Sequence, residues 1–125
     1  MKVAYYDIYR KSSEKEAEIE AKFYESLDEM LALSDCVVLA TPASPDGKKV
    51  INAERLAKFK DGSRFVNIAR GSLVDEEALA DAVETEKLCG VGLDVHEKEP
   101  AVNERLKGMR SVTLTAHNAG GTLET

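Results

Sequence analysis

Apolar and polar positions switch between a period of two and a period near 3.6 along the chain, which divides it into strand and helix segments. Lys2 to Tyr6 predicts a first strand ending at Asp7. Arg10 to Glu20 is charged and predicts loop with some helix, and Lys22 to Tyr24 predicts a short edge strand. Ser26, with Glu29 three residues later, marks a capped helix whose apolar side is Leu27, Met30, Leu31 and Leu33. Cys36 to Ala40 is an unbroken apolar run with β-branched Val37 and Val38, which predicts a strand buried on both faces. Pro42 and Pro45 keep the next loop irregular. Asn52 caps a helix, with Ile51 and Leu56 as a hydrophobic staple, and Arg64 to Ile68 is the next strand. Asp75 caps a further helix with Glu76 and Glu77 in its first turn, where acidic groups suit the helix dipole. Val74 and Leu79 form its staple, and Ala78, Leu79, Ala82 and Val83 face the sheet. Leu88 to Leu93 and Ser111 to Thr115 complete the strands, and Asn103 to Lys107 predicts a helical turn ended by Gly108. This alternation predicts an α/β domain with a parallel sheet of about five strands and helices on both faces.

At 125 residues the chain is sized for one domain. Its 17 basic and 23 acidic residues give a net charge of −6, and no basic run appears, so nucleic acid is not an expected partner. The apolar run from Cys36 to Ala40 is far too short to span a membrane, and no secretory apolar region follows Lys2. Cys36 and Cys89 have neither C-x-x-C nor metal-ligand spacing and sit in apolar stretches. They predict reduced core cysteines and a cytoplasmic protein without a metal.

The polar chemistry gathers at one place in this pattern. Asp7, Thr41, Asn67 with Arg70, Asp94 and His117 each fall at or just past the carboxyl end of a predicted strand. In a parallel sheet those ends share one side, where ligands bind. Taken singly, Arg70 reads equally as a surface ion pair, His117 as a loop histidine, Glu99 as a solvated group rivalled by Glu97, and Asp7 as a cap. Asp28, Glu14, Glu16 and Glu18 read as solvated faces.

Three segments carry a resemblance: Val66-Asn67-Ile68-Ala69-Arg70-Gly71-Ser72-Leu73-Val74-Asp75, then Gly90-Val91-Gly92-Leu93-Asp94-Val95-His96-Glu97-Lys98-Glu99-Pro100, then Thr113-Leu114-Thr115-Ala116-His117. They resemble the signature blocks of the NAD-binding domain of the D-2-hydroxyacid dehydrogenase family. The resemblance implies an incomplete Rossmann-like, doubly wound sheet and NAD-dependent oxidation of D-2-hydroxy acids or reduction of 2-oxo acids. It maps Arg70 to the group that binds the substrate carboxylate, His117 to the general acid, and Glu99 to the carboxylate that orients the histidine and raises its pKa. These three are expected to converge within a few ångströms. Asp94 would hold the nicotinamide amide and Asp7 the adenosine ribose. Thr41 and Pro42 would line the adenine side, and Asn67 and Ala69 belong to the cofactor-binding set. NAD is favoured over NADP because Asp7 would repel a 2′-phosphate, a preference that Arg10 would soften.

The chain also departs from the family pattern. Ala116 stands where proline is usual, Glu86 where glycine is usual after a helix, and His96 where an aromatic residue is usual, which marks His96 as structural. No G-x-G-x-x-G precedes the first strand. The family's glycine-rich turn, the strand and helix flanking it, the substrate domain and the last helix have no counterpart in the chain. Weak or absent NAD binding is therefore expected. So is either a gap between the Lys2–Tyr6 and Cys36–Ala40 strands or a rewired sheet, with the exposed edge covered by a homodimer or strand exchange. Two other readings stand beside the dehydrogenase. One is a small protein using Arg70, Glu99 and His117 for non-redox acid–base catalysis (isomerisation or cyclisation) or for binding a carboxylate-bearing molecule. The other is a non-catalytic interaction module that pairs with itself or with a full-length relative through an exposed strand edge at Lys2–Tyr6.

Overall fold

Six parallel strands form two sheets in the computed structural model, which describes residues 1–43 and 45–120. Strands β1 (Val3–Tyr5) and β2 (Ala21–Phe23) pair with each other, joined by helix α1 (Ser13–Glu18). Strands β3 (Cys36–Leu39), β4 (Ser63–Asn67), β5 (Leu88–Leu93) and β6 (Val112–Leu114) form the second sheet in that spatial order. Helix α2 (Leu27–Leu33) leads into β3, and α3 (Ala53–Lys58), α4 (Glu76–Glu84) and α5 (Glu104–Lys107) make the three crossovers. The α/β class and parallel pairing match the sequence pattern. The strands number six, in sheets of two and four, and among the described residues no strand of one sheet pairs with the other.

The helix starts follow their side chains. Ser26, Asn52, Asp75 and Asn103 each accept a hydrogen bond from a backbone N–H in the first turn of the helix that follows, as does Ser12 for α1. Past α4, Glu86 adopts a left-handed φ of 59° even though it is not glycine, so the turn expected there forms around a residue that holds it less comfortably.

The core lies on one face of the four-stranded sheet. Val37 and Leu39, Phe65, and Val91 and Leu93 point inward against Leu31 of α2, Leu56 of α3, Leu79 and Val83 of α4 and Leu106 of α5. Phe59, just past α3, meets Phe65 edge-on, with ring centroids 5.9 Å apart. Strands laid down in one direction with right-handed crossovers place every connecting helix on the same side. That corrects the expectation of helices on both faces, and of β3 as buried on both. Cys36 and Val38 on β3, and Ile68 just past β4, are exposed on the other face. Cys36 and Cys89 are free thiols but exposed, not core residues, and Leu33 is exposed on α2. None of the helices among the described residues is long and apolar enough to cross a membrane.

Candidate active site

Parallel register carries the ends of β4, β5 and β6 to one edge: Asn67 lies opposite Leu93, and Leu93 opposite Leu114. The residues that follow these positions meet there. Asn67 is buried and shapes the first turn: its Oδ1 accepts from the N–H of Ala69 at 3.0 Å, and its Nδ2 donates to the carbonyl of Arg70 at 3.1 Å. Both polar ends of that side chain are thus spent on presenting Arg70. Ala69 is buried, and the exposed Arg70 turns its Nη1 to the Ala69 carbonyl at 2.6 Å.

The next residue sets how closely two loops approach. A Cβ built on Gly71 would lie 2.0 Å from the carbonyl carbon and oxygen of His96 and 2.5 Å from the nitrogen of Glu97. Only a residue without a side chain lets the Arg70 turn seat on the loop after β5. That loop is held on its other side by buried Glu76 of α4, whose Oε1 accepts from the N–H of Glu97 at 2.9 Å.

Glu99 and His117 are brought together. Nδ1 of His117 lies 2.9 Å from Oε2 of Glu99, and Oε1 of Glu99 accepts from the N–H of His96 at 3.0 Å. The bond from His117, then the His96 N–H, hold the Glu99 carboxyl below its ordinary pKa, so it stays ionised beside the imidazole. With Nδ1 paired to Glu99, Nε2 is the ring nitrogen left for another partner. His117 itself has a φ of 53°, in the left-handed region that costs a side-chain-bearing residue roughly 1–3 kcal/mol.

Asp94 supports that conformation. It is buried, its Oδ1 accepts from the Thr115 hydroxyl at 2.6 Å and the N–H of Asn118 at 3.1 Å, and its Oδ2 accepts from the N–H of Ala119 at 3.1 Å. These donors, led by the Thr115 hydroxyl, lower its pKa. Asp94 therefore clamps the residues on either side of His117. Oδ2, with one donor, keeps capacity for another. His96 is buried, and its Nε2 meets the Thr115 carbonyl at 2.9 Å, tying β5 to the end of β6.

At the other sheet, Asp7 follows β1 half-buried, with Oδ1 accepting from the N–H of Tyr9 at 3.2 Å. Thr41 and Pro42 are exposed just beyond β3. Among the described residues no cluster of three potential metal ligands exists.

Residues 1–119 match the family described as D-isomer specific 2-hydroxyacid dehydrogenase, NAD binding domain. The chain belongs to this family. As a D-isomer specific 2-hydroxyacid dehydrogenase family member it is 43% identical over 122 residues to a glyoxylate reductase of Thermococcus kodakarensis, covering 98% of this chain and 36% of that protein. The holo form of D-mandelate dehydrogenase from Rhodotorula graminis superposes with a TM-score of 0.95 at 40% identity, over 99% of this chain and 36% of that one. An NADPH-dependent glyoxylate/hydroxypyruvate reductase of Sinorhizobium meliloti, in complex with NADP and malonate, gives a TM-score of 0.86 at 29% identity, over 96% and 36%. The chain thus spans about a third of the length of the relatives it matches.

Among the family residues named from sequence, Glu99, His117 and Asp94 lie in one bonded cluster. Arg70 borders it through Gly71, its guanidinium directed to Ala69. Asp7, Thr41 and Pro42 stand after the other strands. Thr115 and Gly71 were missed as site-forming residues. An Arg-Gly pair after a strand signals Gly71. Thr115 needed the β5–β6 register, which no local pattern encodes.

Proposed function

We propose that this chain is the nicotinamide-nucleotide-binding and proton-donating part of an oxidoreductase that interconverts small 2-oxo acids, glyoxylate among them, and their D-2-hydroxy acids. The observation that carries the reading is the Glu99–His117 pair, set beside the Arg70 turn on a family fold. NAD fits the donor set. Asp7 offers a carboxylate at a strand end with one oxygen outside the Tyr9 bond, suited to ribose hydroxyls, and Asp94 Oδ2 retains room for an amide donor. When bound, the nicotinamide supplies or accepts the hydride.

The chain's own residues do the rest. Arg70 swings from the Ala69 carbonyl to a substrate carboxylate, which its planar fork grips at two oxygens. His117, held at Nδ1 by Glu99, gives the proton on Nε2 to the C2 oxygen in reduction and takes it back in oxidation. Glu99, ionised and paired with Nδ1, orients the ring for this step.

Self-association belongs to the proposal. Among the described residues β1 pairs only with β2 and β3 only with β4, so each has an open edge, and Val38 and Ile68 leave apolar surface on the uncovered face. A second copy would cover these edges.

The test is NADH oxidation followed by absorbance with glyoxylate as acceptor. Turnover that disappears in His117→Ala supports the proposal. Turnover unchanged by that substitution would refute the assigned proton donor.

A further inference from the structure

Glu16 lies in a stretch whose charge pattern reads as a solvated face, yet its carboxylate is the hub of a closed network. Arg10 grips it with both arms of the guanidinium: Nε to Oε1 at 2.8 Å and Nη2 to Oε2 at 3.0 Å. Tyr5 of β1 donates its hydroxyl to Oε1 at 2.6 Å and accepts the N–H of Lys11 at 2.9 Å. The guanidinium lies 5.1 Å over the ring of Phe23 on β2. The arginine is therefore engaged by a carboxylate and an aromatic face at once.

We propose that Glu16 sets the dinucleotide preference of this chain by withholding Arg10 from a 2′-phosphate, so that Asp7 selects the unphosphorylated ribose. This rests on the cofactor reading above. In dinucleotide folds a carboxylate after a strand takes the ribose 2′-hydroxyl, whereas a nearby arginine accommodates a 2′-phosphate. The loop after β1 holds both groups, Asp7 and Arg10, three residues apart. What decides between them is whether the arginine's charge is free, and here it is neutralised by a bidentate partner.

The pair is not a loose surface contact. The Glu16 side chain keeps 12% of its exposure, against 58% for Arg10, so the acid is the shielded and anchored half. The Arg10 and Tyr5 bonds lower the Glu16 pKa to about 2, so the carboxylate stays charged at any pH at which a dinucleotide would be bound. The other nearby cations are placed differently: Lys22 sits 4.5 Å over the Tyr24 ring, and Lys11 is fixed at its backbone by Tyr5.

The experiment measures NADH and NADPH binding by nucleotide emission to the full chain and to three variants. Wild type should bind NADH more tightly. Glu16→Gln should move the affinity ratio toward NADPH by about tenfold or more, the scale of hydrogen bonds to a charged group. Arg10→Ala in the otherwise unchanged chain should leave the ratio where it was, because that cation is already occupied. This variant keeps the test open if Glu16→Gln folds poorly. Glu16→Gln combined with Arg10→Ala should return to the wild-type ratio. A gain retained in the double variant would assign the phosphate to a cation other than Arg10 and overturn the proposal. So would a loss of NADPH binding in Arg10→Ala alone, or an unmoved ratio in Glu16→Gln with NADH still bound; in that last case the cofactor reading survives. Absence of binding by every chain refutes the cofactor reading and this inference with it.

Discussion

Glu99 bridges two histidines, accepting the backbone N–H of His96 on Oε1 while Oε2 lies 2.9 Å from Nδ1 of His117. One carboxylate thereby fixes the ring that would carry the proton, and anchors itself to the loop that Gly71 packs against. Removing its charge should affect catalysis more than folding. Glu99→Gln is expected to lower kcat for 2-oxo acid reduction and His117→Ala to lower it further, by about 10²–10⁴-fold, the usual contribution of general acid–base catalysis. Arg70→Ala should act chiefly by raising KM for the oxo acid. Steady-state kinetics at saturating NADH check all three. Equal losses of kcat alone would contradict the division of roles.

Gly71→Ala is expected to be costly although the change is one methyl group. The new Cβ would fall 2.0 Å from the His96 carbonyl, a backbone group that cannot rotate away. The two loops must separate, at a cost of about 2 kcal/mol or more. Urea denaturation should show this as a lower midpoint. The Glu99–His117 pair should also loosen, visible as altered imidazole nitrogen shifts in a chain with only two histidines.

Acid should weaken the fold through Asp94 and Glu16. Both have folded-state pKa values below their ordinary ones, Asp94 mainly through the Thr115 hydroxyl and Glu16, at about 2, mainly through Arg10. A depressed carboxylate pKa contributes stability that is complete above the unfolded value and is lost as pH falls through the folded one. Urea midpoints should therefore decline between about pH 5 and pH 2. Asp94→Asn should be less stable at pH 7 and show a shallower decline. An unchanged acid slope in Asp94→Asn would show that its bonds to Thr115, Asn118 and Ala119 are not maintained in solution.

The open edges of β1 and β3 predict self-association. Light scattering across a dilution series should show a species larger than 13.7 kDa that dissociates on dilution. A monodisperse monomer at every concentration would contradict it. A lysine placed at Val38, in the uncovered face, should shift the equilibrium toward monomer if that face takes part.

Much of this is legible in the amino-acid sequence. The caps at Ser26, Asn52, Asp75 and Asn103 are local signals, because a short polar side chain and the next turn's N–H groups are enough to form them. The placement of Asp94 and His117 after strands was equally local. What could not be read was which face of β3 would be covered. Cys36, Val37, Val38 and Leu39 are all apolar, and only the common direction of three crossovers leaves Cys36 and Val38 outside. The Arg10–Glu16 fork was hidden for a related reason: an acidic residue on a charged helix looks solvated until the Tyr5 hydroxyl and the Phe23 ring close around it.

The central claim is that the strand ends of this chain form a nicotinamide-nucleotide site with His117 as its proton donor. Titration of the chain into NADH, followed by the nucleotide's own emission, tests it most directly, since the protein has no tryptophan to contribute. The account predicts a saturable change, retained in His117→Ala and weakened in Asp7→Ala. Emission that stays flat at every protein concentration would contradict it.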